Sequence, residues 1–442
     1  MKHPPGPPGR RGRHERRRHG HDRRSPCRWH PAVPVAVTQA APTATSPTAT
    51  SPGAARGAST RVISIDALRG ATVAVMILVN NPGDWDQVYP MLRHAAWNGC
   101  TLADLVFPSF LFLMGCAIPL SLDRRIAQGA DRGMLSRQIF RRAALLFALK
   151  LLLSAYPYFH ITHLRLYGVL TRIAVCYLAV GMFCVWVPAR RLLPVAIGAI
   201  LVGYWLALRY VPIPHAGLPG RDFPLFDARM NLGAWLDRGI STWSLHWLHM
   251  GRLYEDGWDP EGALSTLPAI ATTMLGVIAG RMLRGGAAAS HPRRLPALGV
   301  ALLVLGAVWG SVFPINKSLW SSSFVLWTGG VSMCVLALFH FVFDMARVQD
   351  RSAVMGRILL VLRIFGMNAL VAFLFSGFLA KTLMMLPAPG AGAASLSDWL
   401  YRVVCHGAGS GMFTSLVFAL GFCAACFVPV WGLWRRHMIV RL

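Results

Sequence analysis

Ten long apolar segments, separated by short arginine-rich loops, restrict this chain to a small set of folds. Of its 442 residues, 55% are hydrophobic, and the mean hydropathy is +0.47. A helix of ~20 apolar residues spans a bilayer, and only helices or closed barrels satisfy their backbone groups in lipid. The pattern therefore predicts an all-α, polytopic membrane protein with about ten transmembrane helices. The segments lie near residues 66–80, 103–121, 141–155, 168–187, 192–210, 264–282, 296–313, 321–343, 364–384 and 411–434.

The charges of the loops predict how the chain is oriented in the membrane. If the first segment starts on the cytoplasmic side, every inside loop is basic, whereas the outside loop 212–262 carries seven carboxylates against four arginines. Cytoplasmic loops are enriched in Lys and Arg, so both termini are predicted to be cytoplasmic, with the protein in the cytoplasmic (inner) membrane. His94 then lies near the extracytoplasmic face.

The formal charge of +26 does not predict nucleic-acid binding. About a quarter of the basic residues precede residue 62, and most of the others lie in short loops between apolar segments. This distribution is typical of topology determinants rather than of a basic binding face. We therefore expect a lipid bilayer around the protein and no nucleic-acid partner. Assembly into a homo-oligomer is left open by the sequence.

Residues 1–60 and 61–442 are expected to form two different regions. The first is rich in Pro, Arg, Ser, Thr and Ala and shows no apolar period, so it cannot bury enough surface to offset chain entropy. We predict a disordered N-terminal extension over 1–60, followed by a single transmembrane domain over 61–442.

His94 and Asp104 are the strongest candidates for chemistry. Asp104 lies where a polar loop meets an apolar run, and a carboxylate is costly to bury there unless it has a role. It could orient His94, whose imidazole titrates in the neutral range and could act as general base or as nucleophile. The alternative is an interfacial histidine, with Asp104 capping the following helix. The sequence leaves both interpretations open.

Two further polar residues lie at or within apolar segments. Asn80 ends the first segment, where its amide is either part of a helix stop or a donor to an oxyanion near His94. Arg172 lies inside a segment, so it is expected to face a partner or a cavity. Because guanidinium groups match phosphate oxygens, Arg141, Arg142 and Arg172 are candidates for binding a phosphate-bearing cofactor.

Polar groups in the outside loops suggest a ligand site, although each loop could equally well only reverse the chain. Asp259 and Glu261 flank a proline just before a span, and the turn 313–320 carries Asn316 and Lys317. Two His-x-x-His pairs have a spacing compatible with zinc, but the chain has no His-Glu-x-x-His motif. We therefore predict no metal site.

Several motifs, in this order along the chain, resemble the heparan-α-glucosaminide N-acetyltransferase family from about residue 61 to the C-terminus. That family consists of polytopic enzymes that move acetyl from cytosolic acetyl-CoA onto a glucosamine amine across a membrane. The motifs are SIDALRG (64–70), HAAWNG (94–99), DLVFP (104–108), GVLTRI (168–173), DPEG (259–262), PINKSLW (314–320) and FGMNA (365–369).

The resemblance implies a transmembrane acetyltransferase that uses acetyl-CoA as co-substrate. Its acceptor would be an amine, or a hydroxyl, of an extracytoplasmic amino sugar or envelope glycan. Asn81-Pro82-Gly83 follows Asn80 where animal members are Gly-rich, and the connection to His94 differs in length, so we expect a different acceptor specificity. The excess of Arg and Ala is typical of a GC-rich bacterial genome, so a heparan acceptor is not expected. The catalytic residues would be His94, Asp104 and Asn80. The acceptor would be bound by Trp97, Asn98, Asp259, Glu261, Asn316, Lys317 and Trp320.

Two other classes of protein remain compatible with the residues. A transporter of a small sugar or amine would also use intramembrane Asp, Arg and Asn, but it should show symmetry between its halves, and the sequence shows no internal repeat. A non-catalytic membrane scaffold would leave the region of His94 dispensable and would not bind acetyl-CoA.

Overall fold

The computed structural model describes residues 62–440, apart from 161, 163, 188–190, 255–256, 285–290 and 390–394. The extension 1–60, predicted to be disordered, lies outside this range. The described chain is built of helices joined by turns and loops. These helices are α1 (Ile63–Asn80), α2 (Leu102–Ala127), α3 (Arg132–Ala155), α4 (Val169–Trp186), α5 (Leu192–Tyr210), α6 (Leu232–Leu248), α7 (Thr266–Arg284), α8 (Arg294–Gly310), α9 (Ser322–Phe339), α10 (Val348–Arg351), α11 (Ala353–Met367), α12 (Ala369–Met385), α13 (Leu396–Ala408) and α14 (Met412–Arg435).

The helices confirm an all-α, multi-pass membrane protein. Within the described residues, seven helices are long and apolar enough to cross a bilayer, or eight if α11 and α12 form one bent span. The seven are α1, α2, α4, α5, α7, α9 with its π-helical extension to Met345, and α14. The predicted total of ten also included α3, whose first half is basic, and α8, which has 17 residues. Both are helical where the sequence predicts helix.

The predicted segment 364–384 is not one continuous helix. It breaks at Asn368, where α11 and α12 meet at an angle of 77°. The side chain of Asn368 is buried and bonds to the C-terminal tail: its Nδ2 donates to the carbonyl of Met438, and its Oδ1 accepts from the N–H of Val440. The C-terminal tail therefore satisfies the hydrogen-bonding groups of the Asn368 side chain at the break. Sequence periodicity does not predict this contact.

Glycines allow the backbones of two pairs of helices to approach closely, α1 with α11 and α2 with α7. A Cβ atom on Gly70 of α1 would lie 1.8 Å from the carbonyl oxygen of Leu362 in α11, and one on Gly366 of α11 would lie 1.8 Å from that of Asp66. In α2, a Cβ atom on Gly115 would lie 2.0 Å from the carbonyl oxygen of Thr273 in α7. Small residues at such crossings are typical of helix packing in membranes.

The sequence did not predict α6, which lies in the loop between α5 and α7. Asn231 caps its start by accepting from the N–H of Ala234 at 2.9 Å. Its inward face is small or polar, whereas Trp235, Trp243 and Trp247 are exposed. Exposed tryptophans are typical of a helix at the membrane–water interface.

Candidate active site around His94

Asp104 lies in the first turn of α2 and is almost completely buried, with 1% of its side chain exposed. Its Oδ2 accepts from the N–H and the hydroxyl of Thr101, at 3.1 Å each, and from the N–H of Ala95 at 3.0 Å. Its Oδ1 lies 2.8 Å from Nδ1 of His94. Thr101 is the N-cap residue of α2, so a single carboxylate caps the helix and contacts the histidine. Asp104 therefore makes both of the contacts that the sequence allowed, one to the histidine and one to the start of the helix.

His94 has one ring nitrogen bound and the other available. Its side chain is 39% exposed, in the irregular segment before α2. An ionised carboxylate only accepts hydrogen bonds, so we assign the Nδ1–H tautomer, in which His94 donates to Asp104. The lone pair of Nε2 is then free to take a proton or to attack a carbonyl carbon.

Lys317 contacts both members of this pair. Its Nζ lies 3.2 Å from Oδ1 of Asp104, 3.0 Å from Nδ1 of His94 and 3.4 Å from Nε2. The sequence analysis assigns Lys317 to the acceptor. In the structure, its ammonium group contacts the predicted catalytic residues His94 and Asp104.

The turn that carries Lys317 is bonded to the loop that carries His94. Asn316 is fully buried; its Nδ2 donates to Oδ1 of Asn98 at 3.2 Å, and its Oδ1 accepts from the N–H of Leu319 at 2.8 Å. The N–H of Gly99 donates to the carbonyl of Ile315 at 2.7 Å. Asn316 thus holds together two loops that are far apart in sequence.

Trp97 connects the loop of His94 to the loop between α5 and α7. Its Nε1 donates to the carbonyl of Phe226 at 3.2 Å, and its ring packs edge-on against Trp258, with 5.4 Å between centroids. Trp258 directly precedes Asp259. Trp97 is half-buried and Asn98 is exposed, so part of this surface is open to solvent.

Asp259 and Glu261 are both held by Arg165, which the sequence analysis does not single out. The guanidinium group of Arg165 donates from Nε to Asp259 at 2.7 Å and from Nη2 to both carboxylates. Asp259 has a fully buried side chain, and that of Glu261 is 16% exposed. Arg165 lies in a loop predicted to be outside, where few basic residues are expected. An unexpected arginine in this loop was therefore the feature of the sequence that could have revealed the ion pair.

Arg172 has the partner that an intramembrane arginine was predicted to need. Its guanidinium group lies 4.8 Å from the ring centroid of Trp320, and its Nη2 donates to the carbonyl of Gly262 at 3.3 Å and to the hydroxyl of Ser265. Trp320 is buried in turn and donates from Nε1 to the hydroxyl of Thr272 at 3.1 Å. Arg172 therefore joins the turn of Lys317 to the loop of Asp259.

Asn80 is exposed at the last position of α1. Within the described residues, no hydrogen bond joins its side chain to His94. Asn81 takes the helix-stop role, because its Nδ2 donates to the carbonyl of Ile77 at 2.7 Å. The role of Asn80 at an oxyanion stays a prediction.

A cavity of about 450 Å³ lies among α1, α2, α3, α4 and the α11–α12 bend. On α2 its lining runs from Phe110 to Ser121, which is roughly 9 to 26 Å along the helix from Asp104 at 1.5 Å per residue. Arg69 and Arg142 are the charged residues of its described lining, and Arg142 also donates to the hydroxyl of Tyr177 at 3.3 Å. Arg141 is exposed, and neither it nor Arg172 belongs to that lining.

Among the residues that the structure describes, no group of three or more His, Cys, Asp or Glu side chains is arranged to hold a metal ion. His163, one member of the His-x-x-His pairs, lies outside those residues. His249, from the other pair, ends α6 in a left-handed conformation with φ of 53°.

Fold and site together define a class: a multi-pass α-helical membrane protein with a carboxylate-oriented histidine at one end of its helices. A family model described as "Heparan-alpha-glucosaminide N-acetyltransferase, catalytic" matches residues 61–308, which is more than half of the chain. The chain belongs to this family, as the motifs of its sequence indicate.

Two curated relatives carry the name heparan-alpha-glucosaminide N-acetyltransferase. The chain is 29% identical to the one from Homo sapiens over 328 residues, covering 64% of this chain and 49% of the relative. It is 29% identical to the one from Mus musculus over 332 residues, covering 65% and 50%. The chain thus spans about half the length of the curated relatives it matches.

Proposed function

We propose that the protein is a membrane acetyltransferase that moves acetyl from cytosolic acetyl-CoA to an amino group of an extracytoplasmic amino sugar or envelope glycan. The observation that carries this proposal is the His94–Asp104 pair, with Nδ1 bound to a buried carboxylate, which leaves the lone pair of the ring on Nε2. Membership in the family supports the reaction type. The match of the chain to about half of its relatives' length keeps the substrates a matter for experiment.

His94 supplies the chemistry in one of two ways. As a base, Nε2 takes the proton of the acceptor amine while the nitrogen attacks the thioester carbonyl, and the carbon–sulfur bond breaks to release CoA. As a nucleophile, Nε2 itself attacks the thioester carbon and the thiolate leaves; the acceptor amine then takes the acetyl group and restores the imidazole. In both, Asp104 fixes the tautomer and stabilises the positive charge that develops on the ring.

Acetyl-CoA fits the cavity along α2 by its chemistry. Apolar residues of α2, α4, α11 and α12 form most of the lining, which suits the pantetheine chain. Arg142 offers its guanidinium group to phosphate oxygens, and so does Arg69, whose Nη1 also donates to Asp66 at 3.2 Å. Arg69 joins the cofactor-binding set on this proposal. Arg141 would act from outside the lining, and Arg172 would act only through Trp320.

The acceptor is proposed to bind on the exposed side of His94. Trp97 and Asn98 are the predicted acceptor residues with surface open beside the histidine, and an aromatic face with an amide suits a sugar ring. Asp259, Asn316 and Trp320 would act by holding the loops, since their polar groups are engaged and they are buried. Glu261 keeps a partly exposed carboxylate that could pair with the acceptor amine.

The test is release of free CoA from acetyl-CoA by purified protein, with glucosamine as the first acceptor. We expect release that requires the amine and falls by about 10²–10⁴-fold in His94→Ala. His406→Ala is a matched control, because His406 is an exposed histidine on α13 with no part in this site. No release by folded wild-type protein with any amino sugar, together with uptake of the sugar into proteoliposomes, would favour a transporter instead.

A further inference from the structure

Lys317 lies over the face of the His94 ring rather than in its plane. Its Nζ is nearly equidistant from the two ring nitrogens, at 3.0 and 3.4 Å. An ammonium group at these distances in the ring plane would collide with the carbon between the two nitrogens. The face-on position leaves the in-plane lone pair of Nε2 accessible, and the ammonium group forms an ion pair with Oδ1 of Asp104 at 3.2 Å.

Two charged groups contact the imidazole in the described structure, and a third, titratable group lies on the same loop. Asp104 favours the protonated ring by attraction, and Lys317 disfavours it by repulsion. The third group is Cys100 on the same loop, where burial, followed by the negative charge of Asp104, raises the pKa of the thiol to about 12, so this thiol stays neutral. Nδ1 of the imidazole therefore has one anion and one cation at similar distances, Oδ1 of Asp104 at 2.8 Å and Nζ of Lys317 at 3.0 Å.

Lys317 is held in place by a rigid turn. Its carbonyl accepts from the N–H of Trp320 at 3.0 Å, and the carbonyl of Asn316 accepts from the N–H of Ser321 at 3.0 Å. Trp320 takes a left-handed conformation, with φ of 51°, and is buried. A lysine with 25% of its side chain exposed is usually mobile, but here its backbone position is fixed next to the histidine.

We infer that Lys317 is a positioning residue that keeps Nε2 of His94 unprotonated, so that Asp104 can orient the ring without letting it hold a second proton. The inference rests on the proposed function in one respect: both routes of acetyl transfer need a neutral imidazole, and this need explains why Lys317 would be placed there. It assigns Lys317 to the histidine rather than to the acceptor.

The experiment measures the protonation of His94 without any substrate. Diethyl pyrocarbonate carbethoxylates the neutral imidazole, and trypsin releases residues 94–124, a peptide with a single histidine, for mass spectrometry. The rate of modification is measured between about pH 5 and 8 in wild type, Lys317→Arg, Lys317→Met and Lys317→Glu. Lys2→Met serves as a control for the loss of one positive charge elsewhere.

The midpoint of the profile should follow the charge at position 317. We expect Lys317→Arg and Lys2→Met to match wild type, Lys317→Met to move the midpoint up by about one pH unit or more, and Lys317→Glu to move it further. Equal midpoints in Lys317→Arg and in any folded neutral or acidic variant would overturn the inference. So would a higher KM for the acceptor in Lys317→Met with an unmoved midpoint, which is the signature of substrate binding.

The readout separates this inference from the proposed function. A wild type that modifies as expected but releases no CoA would refute acetyl transfer and leave the role of Lys317 standing. If the wild type releases CoA but the midpoint of His94 modification is the same whatever the charge at position 317, the proposed function stands and the role of Lys317 is refuted. If Lys317→Met fails to fold, Lys317→Glu and the polar Lys317→Gln provide the same comparison.

Discussion

Replacing Asp104 by asparagine should abolish most of the activity while leaving the protein folded. The amide oxygen of the new side chain can keep capping α2, in the place of Oδ2. The amide NH₂ group then takes the place of Oδ1 and donates to Nδ1 of His94. This forces the proton onto Nε2, so the atom proposed to act as base or nucleophile loses its lone pair. We expect CoA release to fall on the order of 10²–10⁴-fold.

The stability cost of the same change should be small, and that of the alanine variant large. The asparagine variant exchanges charge-assisted hydrogen bonds for neutral ones and also removes the carboxylate that pairs with the partly exposed Lys317, at about 2 kcal/mol in total. Asp104→Ala removes the acceptor of four donors, namely three from Thr101 and Ala95 and one from His94, and strips Lys317 of its partner, at about 3–5 kcal/mol. Thermal unfolding in detergent should therefore separate the two variants clearly.

The control for this prediction is Asp123→Asn, the same substitution near the other end of α2, where the carboxylate pairs with Arg281 and Arg284. It should cost comparable stability without a comparable loss of activity. A folded Asp104→Asn protein that releases CoA at the wild-type rate would refute the proposed tautomer and the role of the carboxylate.

Three further predictions concern the cavity, the helix packing and helix α6. Arg142→Leu should raise the KM for acetyl-CoA several-fold in a steady-state assay, whereas Arg137→Leu, exposed on the same helix, should not. Gly70→Ala should lower the melting temperature strongly, because its Cβ atom would meet the backbone of α11, and Gly198→Ala, with open space around it, should leave the temperature unchanged or raise it. Burial raises the pKa of Asp237 in α6 to about 6, above its unfolded value near ~3.9, so stability should fall as pH rises between those values. Asp237→Asn should remove this fall, a gain of roughly 3 kcal/mol above pH 6 measured as a melting shift across pH 4–7.

Much of the site could be found from the sequence because the motifs there are local. His94 and Asp104 are ten residues apart, and their contact follows from one loop and the first turn of one helix. Lys317, Asn316 and Trp320 stand together in one motif, yet nothing in that motif tells which of them touches the histidine and which supports the turn. Arg165 was missed because its partners, Asp259 and Glu261, lie far away along the chain and no local period connects them.

What the sequence by itself determined is the membrane class, the place of most of the apolar helices and the histidine–carboxylate pair. These depend on hydropathy, loop charge and short motifs, which act through neighbours along the chain. The tertiary structure alone decided the break at Asn368, the ion pair of Arg165 and the position of Lys317 over the ring. Each of these depends on a contact between polar groups that are far apart in sequence, and the partner of such a group can come from anywhere in the chain.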